Sequence, residues 1–151
     1  MESNLAISYV LVSDLIPYAR NARKHSEKQV AQIAASIKEF GFITPVLLAD
    51  DKTIIAGHGR ILAARKLEMD NVPCVFLSHL SPTQRKAYGI VDNQLSINSS
   101  WDEQLLGLEI KDLEIDGFDL SILAIPEKKE KKSGSKKDIV CPICGHEFTL
   151  E

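Results

Sequence analysis

TIIAGHGRILAARKL, residues 53–67, joins a short apolar run of strand type to a helical run through Gly57, His58, Gly59 and Arg60 with no linker between them. Two glycines at such a junction let the backbone turn sharply and approach a ligand closely. The helix that follows begins with unpaired N–H groups and a partial positive charge, which stabilise an anion before any side chain contributes. Arg60 adds a forked, charge-assisted donor suited to phosphate. By itself the same pattern also makes an ordinary tight turn.

Upstream, PVLLA (45–49) pairs with TIIA as a hairpin through Asp50, Asp51 and Lys52. LAISYVLV (5–12) is rich in β-branched and apolar residues and predicts a first strand, followed by a turn and an extended basic loop carrying Arg20, Arg23, Lys24 and His25. Ser26 and Gln29 fit a capping box, and Val30, Ile33, Ala34 and Ile37 share one helical face until Gly41 stops the helix. Downstream, VPCVF (72–76) predicts a strand, and Ser81 with Gln84 a second capping box with Pro82 at the first helical position, opening a helix to about Leu95. Ser100 and Glu103 suggest a third box before an acidic helix that ends at Gly117, and 118–126 is a short packed segment. This order predicts a small α/β (α+β) domain, a mixed sheet with flanking helices, followed by a helical segment.

A chain of 151 residues with 44% hydrophobic composition has room for one core and an appendage, but not for two ordinary domains. No run is long and apolar enough to cross a bilayer, and MESNLAIS lacks the pattern of a signal peptide, so a cytoplasmic location is expected with no membrane partner. The net charge of −3 is unevenly spread: residues 1–66 hold nine Lys/Arg against six Asp/Glu, 67–126 three against ten, and 127–137 six against two. Nucleic acid responds to such local positive charge rather than to the total. Cys74 lies in an apolar stretch and is expected to be a buried structural thiol.

GFITPVLL (41–48) precedes the hairpin, and GIVDNQLS (89–96) follows on a helix able to fold back against GHGR. The spacing of these three segments resembles the N-terminal domain of the ParB/sulfiredoxin superfamily over roughly residues 5–98. The first family element, G-x-x-x-P-x-x-V, is matched at Gly41 and Pro45, with Leu48 for the usual Val. The second, GERR, is matched at Gly57 and Arg60, with His58 and Gly59 in place of its Glu and first Arg. The third, E-N-x-x-R, is matched by Asp92 and Asn93 with a shorter acid, and Ser96 stands where Arg is usual.

The resemblance implies that these segments wrap a cytidine triphosphate with Mg2+. Gly41, Pro45, Gly57, His58, Gly59, Arg60 and Asn93 would bind the nucleotide and its phosphates. Asp92, Asn93 and His58 form the candidate catalytic set, with Asn93 near the metal and Asp92 near it or the attacking water. Asp92 is one methylene shorter than the family's Glu, and a misplacement of about 1 Å can cost on the order of 100-fold in rate, which favours nucleotide binding over more than a slow CTPase activity. Gly59 and Ser96 also remove cationic charge that a triphosphate would want. The alternative at this point is that GHGR and DNQ only cap helices in a repurposed site.

Three function classes remain open. The first is a DNA-associated, nucleotide-binding module of the phage or methyltransferase-associated type, with Arg20, Arg23 and Lys24 meeting phosphates of DNA or nucleotide; a merely solvated basic loop is the alternative for those residues. The second is a non-catalytic DNA-binding or adaptor module that serves a DNA methyltransferase or phage packaging machinery. The third is a small-molecule, amino-acid kinase in which His58 acts as base. Sulfiredoxin chemistry is excluded, since its turn carries a Cys where His58 stands. No helix-turn-helix follows the domain, and no paired-carboxylate metal site suggests a nuclease.

CPICGHEF (141–148) has the C-x-x-C-G spacing of a zinc knuckle, with Cys141, Cys144 and His146 as candidate Zn2+ ligands. A tetrahedral site wants a fourth ligand, so a second chain in a homodimer, a longer native protein or a metal-free remnant all fit. The expected division is 5–98 for the ParB/sulfiredoxin-like domain, 99–126 for a helical extension, 127–137 for a Lys-rich linker and 138–151 for the knuckle-like tail.

Overall fold

The computed structural model describes residues 5–125, 138–140 and 147–149. Four strands form one mixed sheet: β1 (Ile7–Leu11), β2 (Val46–Leu48), β3 (Ile54–Ala56) and β4 (Asn71–Phe76), in spatial order β1-β4-β2-β3. β1 runs antiparallel to β4, with Ile7 opposite Val75 and Leu11 opposite Asn71. β2 runs parallel to β4 and antiparallel to β3, with a register shift between Leu47 and Leu48. The parallel pair requires a crossover, and α2 (His58–Lys66) supplies it. β3 is an edge strand, and Ile16 shields part of that edge by bridging to Thr53 and accepting from the Ile54 N–H at 2.9 Å.

The sheet's period-2 alternation decides which apolar residues form the core. Val10, Val46, Leu48, Ile54, Val72 and Cys74 turn to one face and meet Ile61 and Ala64 of α2, together with Val12 and Leu15. Burying a side chain such as Leu48, Ile54 or Ile61 stabilises the fold by roughly 1.5–3 kcal/mol. The other row of β1 is uncovered: Ile7, Tyr9 and Leu11 are exposed, Tyr9 at 74%. The apolar content of 5–12 predicts a strand; of its seven apolar residues only Val10 and Val12 are buried, and Leu5, Ala6, Ile7, Tyr9 and Leu11 are exposed. Cys74 is fully buried, as its apolar neighbours suggested, and burial pushes its thiol up to about 11.

The helices follow their caps. α1 (Glu27–Phe40) starts at Ser26, whose Oγ accepts from the Gln29 N–H at 3.2 Å, and stops at Gly41, at φ 83°. The reciprocal half of this capping box is missing, because Gln29 Oε1 lies 3.0 Å from His25 Nδ1 instead. The box at Ser81 and Gln84 is complete and opens α3 (Pro82–Asn98), with Pro82 in its first turn. The third box does not form. α4 (Glu103–Ile115) is capped by Asp102, whose carboxylate accepts from the N–H groups of Gln104 and Leu105. Asp reaches two donors from one cap position, so Ser100 is left outside the helix.

α1 packs along α2, α3 contacts β3, and α4 leads to a 3₁₀ turn (Leu120–Leu123) that returns to α1. Phe118 stacks on Phe40 with ring centroids 5.9 Å apart. A further pair, β5 (Asp138–Val140) and β6 (Glu147–Thr149), is antiparallel, with Val140 opposite Glu147. Cys141, Cys144, His146 and the Lys-rich linker lie outside the described residues. Among those described, no helix is long and apolar enough to cross a membrane.

Candidate functional site

The corner between β3 and α2 is made by Gly57, which takes φ 106°, a conformation that a side chain disfavours. No side chain caps the helix it opens, and the first intrahelical bond runs from the Ile61 N–H to the Gly57 carbonyl at 3.1 Å. The first-turn N–H groups of His58, Gly59 and Arg60 therefore stand at an uncapped helix end. They border a cavity of about 200 Å³ whose walls also include Arg23, His25, Asp92, Asn93 and Ser96. Three parts of the chain meet here: the basic loop before α1, the GHGR corner and the middle of α3.

Gly59 is required by packing rather than by dihedral angle. A Cβ at this position would lie 3.0 Å from the His25 ring and from Ile33 Cδ1. His25 and Ile33 thus occupy the room that a longer side chain at 59 would need, and they bring α1 against α2.

The charged groups are already engaged. Arg23 Nη1 donates to Asn93 Oδ1 at 2.5 Å, and Asn93 Nδ2 donates to the Gly89 carbonyl at 2.6 Å. This pair ties the basic loop to α3. Arg60 folds back over Gly57 and donates from Nη1 to the Thr44 carbonyl at 3.0 Å. Burial pulls its guanidinium below its ordinary range, against the opposing pull of Asp92 and Tyr88, and it stays protonated at neutral pH. Asp92 accepts from the Tyr88 hydroxyl at 3.4 Å, and Ser96 Oγ donates to the Asp92 carbonyl at 3.2 Å.

His58 accepts a hydrogen bond at Nε2 from the Tyr18 N–H, at 3.3 Å. Burial, followed by the charge of His25, lowers its pKa from the ordinary value of 6.5, so the ring is neutral at pH 7. The bond to Tyr18 assigns its proton to Nδ1, which leaves the ring no free lone pair with which to act as a base. It can donate to an anion instead.

The structure thus brings together Gly57, His58, Gly59, Arg60, Asp92, Asn93 and Arg23 from the sequence-derived candidates. Gly41 lies beside them, on a second cavity of about 610 Å³ that shares Gln29, Ile33 and Arg60 with the first. Pro45 lines none of the cavities described, and Lys24 is exposed and borders none either. Arg20 opens on a third cavity of about 1020 Å³ between the basic loop and α3, which Arg23, Arg85 and Lys86 also line. Thr44, Tyr88 and the Tyr18 main chain were not foreseen as partners. A main-chain contact of that kind leaves no trace in side-chain spacing, whereas Tyr88 stands four residues before Asp92 and was legible as a helical neighbour.

Among the described residues no cluster of three or more His, Cys, Asp or Glu side chains could hold a metal ion. Mg2+ prefers one or two carboxylates together with phosphates and water, and Asp92 offers such a carboxylate. Asn93 does not fit the same role as placed, since its oxygen is held by the Arg23 guanidinium.

The model of the ParB N-terminal domain family matches residues 1–93 of the chain. The ParB-like nuclease domain-containing protein YnaK of Escherichia coli (strain K12) is 50% identical over 86 residues, 57% of this chain and 99% of that protein. Among solved structures, the C-terminally truncated chromosome-partitioning protein ParB from Caulobacter crescentus complexed with CTP-gamma-S aligns with a TM-score of 0.63 at 21% identity, covering 74% of this chain. The match spans 64% of that ParB chain, so less than two thirds of it is represented. The same truncated ParB complexed to the centromeric parS site aligns with a TM-score of 0.50 at 18% identity, covering 80% of this chain and 73% of the other. At these identities the likeness to the solved structures is one of fold.

Proposed function

The chain belongs to the ParB N-terminal domain family, and on that premise we propose that it is a DNA-associated module that binds a nucleoside triphosphate, cytidine triphosphate with Mg2+, at the α2 corner. The observation that carries this reading is the uncapped first turn of α2, opening on a cavity that also holds Arg23 and Arg60. Backbone N–H groups at a helix start and two guanidinium groups match an oligophosphate in charge and in donor geometry. The adjoining cavity along Gly41–Thr44 has room for the nucleoside. That a ParB of the same fold has been crystallised with CTP-gamma-S supports the ligand class.

Hydrolysis is slow in this account. Asp92 is the shorter acid, and His58 has its Nε2 committed to Tyr18, so no side chain is poised as a strong base. The same commitment weighs against an amino-acid kinase with His58 as base. DNA would meet Arg20, Arg85 and Lys86 along the third cavity, and Lys24 on the exposed loop. A cytoplasmic phage or mobile-element setting beside a DNA methyltransferase, Zn2+ at Cys141, Cys144 and His146, and a homodimer completing that site belong to the same proposal.

One observation favours a second reading, an adaptor that has kept only the fold. Arg60 and Asn93 are satisfied by Thr44, Arg23 and Gly89 without any ligand. Equilibrium binding of labelled CTP, ATP and GTP with Mg2+, with and without duplex DNA, separates the two. Selective CTP binding that Arg60→Ala and Arg23→Ala each weaken at least about tenfold is expected. DNA binding that ignores nucleotide and survives both substitutions would establish the adaptor.

A further inference from the structure

Beyond the residues matched by the family model, the chain returns to the same cleft from its other end. After α4, Phe118 stacks on Phe40 of α1, with 19° between the ring planes. Asp119 then accepts from the Ser121 N–H at 3.0 Å and caps the 3₁₀ turn 120–123. Ala124 leaves the turn at φ 54°, an uncommon conformation for a residue with a Cβ. Ile122 and Ala124 form one wall of the 610 Å³ cavity.

The α1 stripe Ile33, Ile37 and Phe40, at spacings that place them on one helical face, also lines this cavity. Ile33 touches the phosphate-side corner at Gly59, and Phe40 carries Phe118. Of the described residues lining it, Arg60 alone is charged, and it stands where the cavity meets the α2 corner. The cavity is therefore cationic at one end, and neutral and largely apolar at the other. That polarity suits a ligand whose anionic end continues into a flat, uncharged ring system.

We infer that Ile122, backed by Ala124, is a nucleoside-contacting residue that helps set ligand specificity, supplied by the C-terminal segment rather than by the part of the chain that matches the family. The inference rests on the nucleotide reading above. In this arrangement the chain from α3 onward serves both ends of the ligand, with Asp92 and Asn93 lining the phosphate-side cavity and Ile122 at the base and ribose.

The test compares CTP with inorganic tripolyphosphate, both with Mg2+, because only CTP reaches the Ile122 wall. Ile122→Gln, which adds no charge, is expected to weaken CTP about tenfold, through the loss of one apolar contact and the desolvation of an unpaired amide, while tripolyphosphate changes by less than about twofold. Ile122→Ala, a small change at a half-buried site, is expected to show the same split at about threefold. Equal losses for both ligands in Ile122→Ala, or no loss for CTP in either variant, would overturn the inference, while tripolyphosphate binding by the wild type would keep the phosphate-site reading. A wild-type chain that binds tripolyphosphate and not CTP would also overturn it. Binding of neither ligand would remove both the inference and the nucleotide reading beneath it.

Discussion

Two helices bracket the candidate site and are built on opposite terms. α2 buries Gly59, Ile61, Ala63 and Ala64 within nine residues, whereas α3, seventeen residues long, buries none. α4 buries none either. The corner that presents the uncapped first-turn N–H groups is thus part of the core, and its geometry is fixed by packing on both sides. The helix that brings Asp92 and Asn93 is held by a few polar ties: Arg23 to Asn93, Arg85 to Asp50 at 2.6 Å, and the close pass of Gly89 over the Ile55 carbonyl. A helix start built into the core and facing a weakly docked arm is an arrangement in which a ligand can add to the docking, since whatever binds the docked form stabilises it.

The sharpest way to break this contrast is truncation on each side. Ile54→Ala or Ile61→Ala removes a fully buried side chain from the sheet–α2 core and is expected to cost about 2–5 kcal/mol in urea denaturation. Leu95→Ala on α3, at a residue 64% exposed, is expected to change stability by no more than about 0.5 kcal/mol. Comparable costs would mean that the arm belongs to the core after all.

A smaller effect tests the close approach of α1 to α2. Gly59→Val drives a branched side chain into the His25 ring and Ile33, and is expected to cost about 1–3 kcal/mol. His25→Ala in the same chain should recover part of that loss in thermal melts, because it frees the contested space. If the double variant is no better than the single one, the strain lies elsewhere.

The tie between loop and arm is smaller again. A double-mutant cycle on Arg23→Ala and Asn93→Ala is expected to give a coupling of about 1 kcal/mol, as for residues sharing one charge-assisted hydrogen bond. Additive losses would show that the two groups do not meet in solution.

The least effect is a pH dependence. Folding lowers the His58 pKa, so below its unfolded value of about 6.5 the unfolded chain takes up a proton that the folded chain resists. Stability contributed by neutral His58 is present above that value and is lost as pH falls through it. Asp50 and Asp51, whose carboxyls are held below their ordinary 3.8 by Ser78 and by Thr53 first of all, contribute above that range and leave the window from pH 7.5 to 5.5 undisturbed. Thermal melts across that window should fall for the wild type and fall less for His58→Asn.

Most of the fold was legible because its elements announce themselves locally. Ser81, Gln84 and Pro82 carry a helix start, Gly41 a helix stop, and the apolar runs PVLLA and TIIA a pair of strands. The Ser100 cap failed because Asp102 competes for the same N–H groups two residues on, and spacing alone does not rank two available caps. In the site, GHGR and Asp92-Asn93 were placed together by motif spacing, and the structure does assemble them. What the motifs could not show is how far the groups satisfy each other. Neither the Arg23–Asn93 pair, seventy residues apart in sequence, nor the Tyr18 N–H on His58 leaves a local signature. The return of Phe118 to Phe40 was hidden for the same reason, since a long-range stack depends on two helices and a turn lying in register.

If the first turn of α2 receives phosphates, amide 1H–15N shifts on titration with CTP and Mg2+ will report it residue by residue. The largest shifts are expected on the His58, Gly59 and Arg60 amides and on the Asn93 side-chain amide. Saturable binding that moves other amides and leaves these four unmoved, or no shift at all, would contradict this placement of the phosphates.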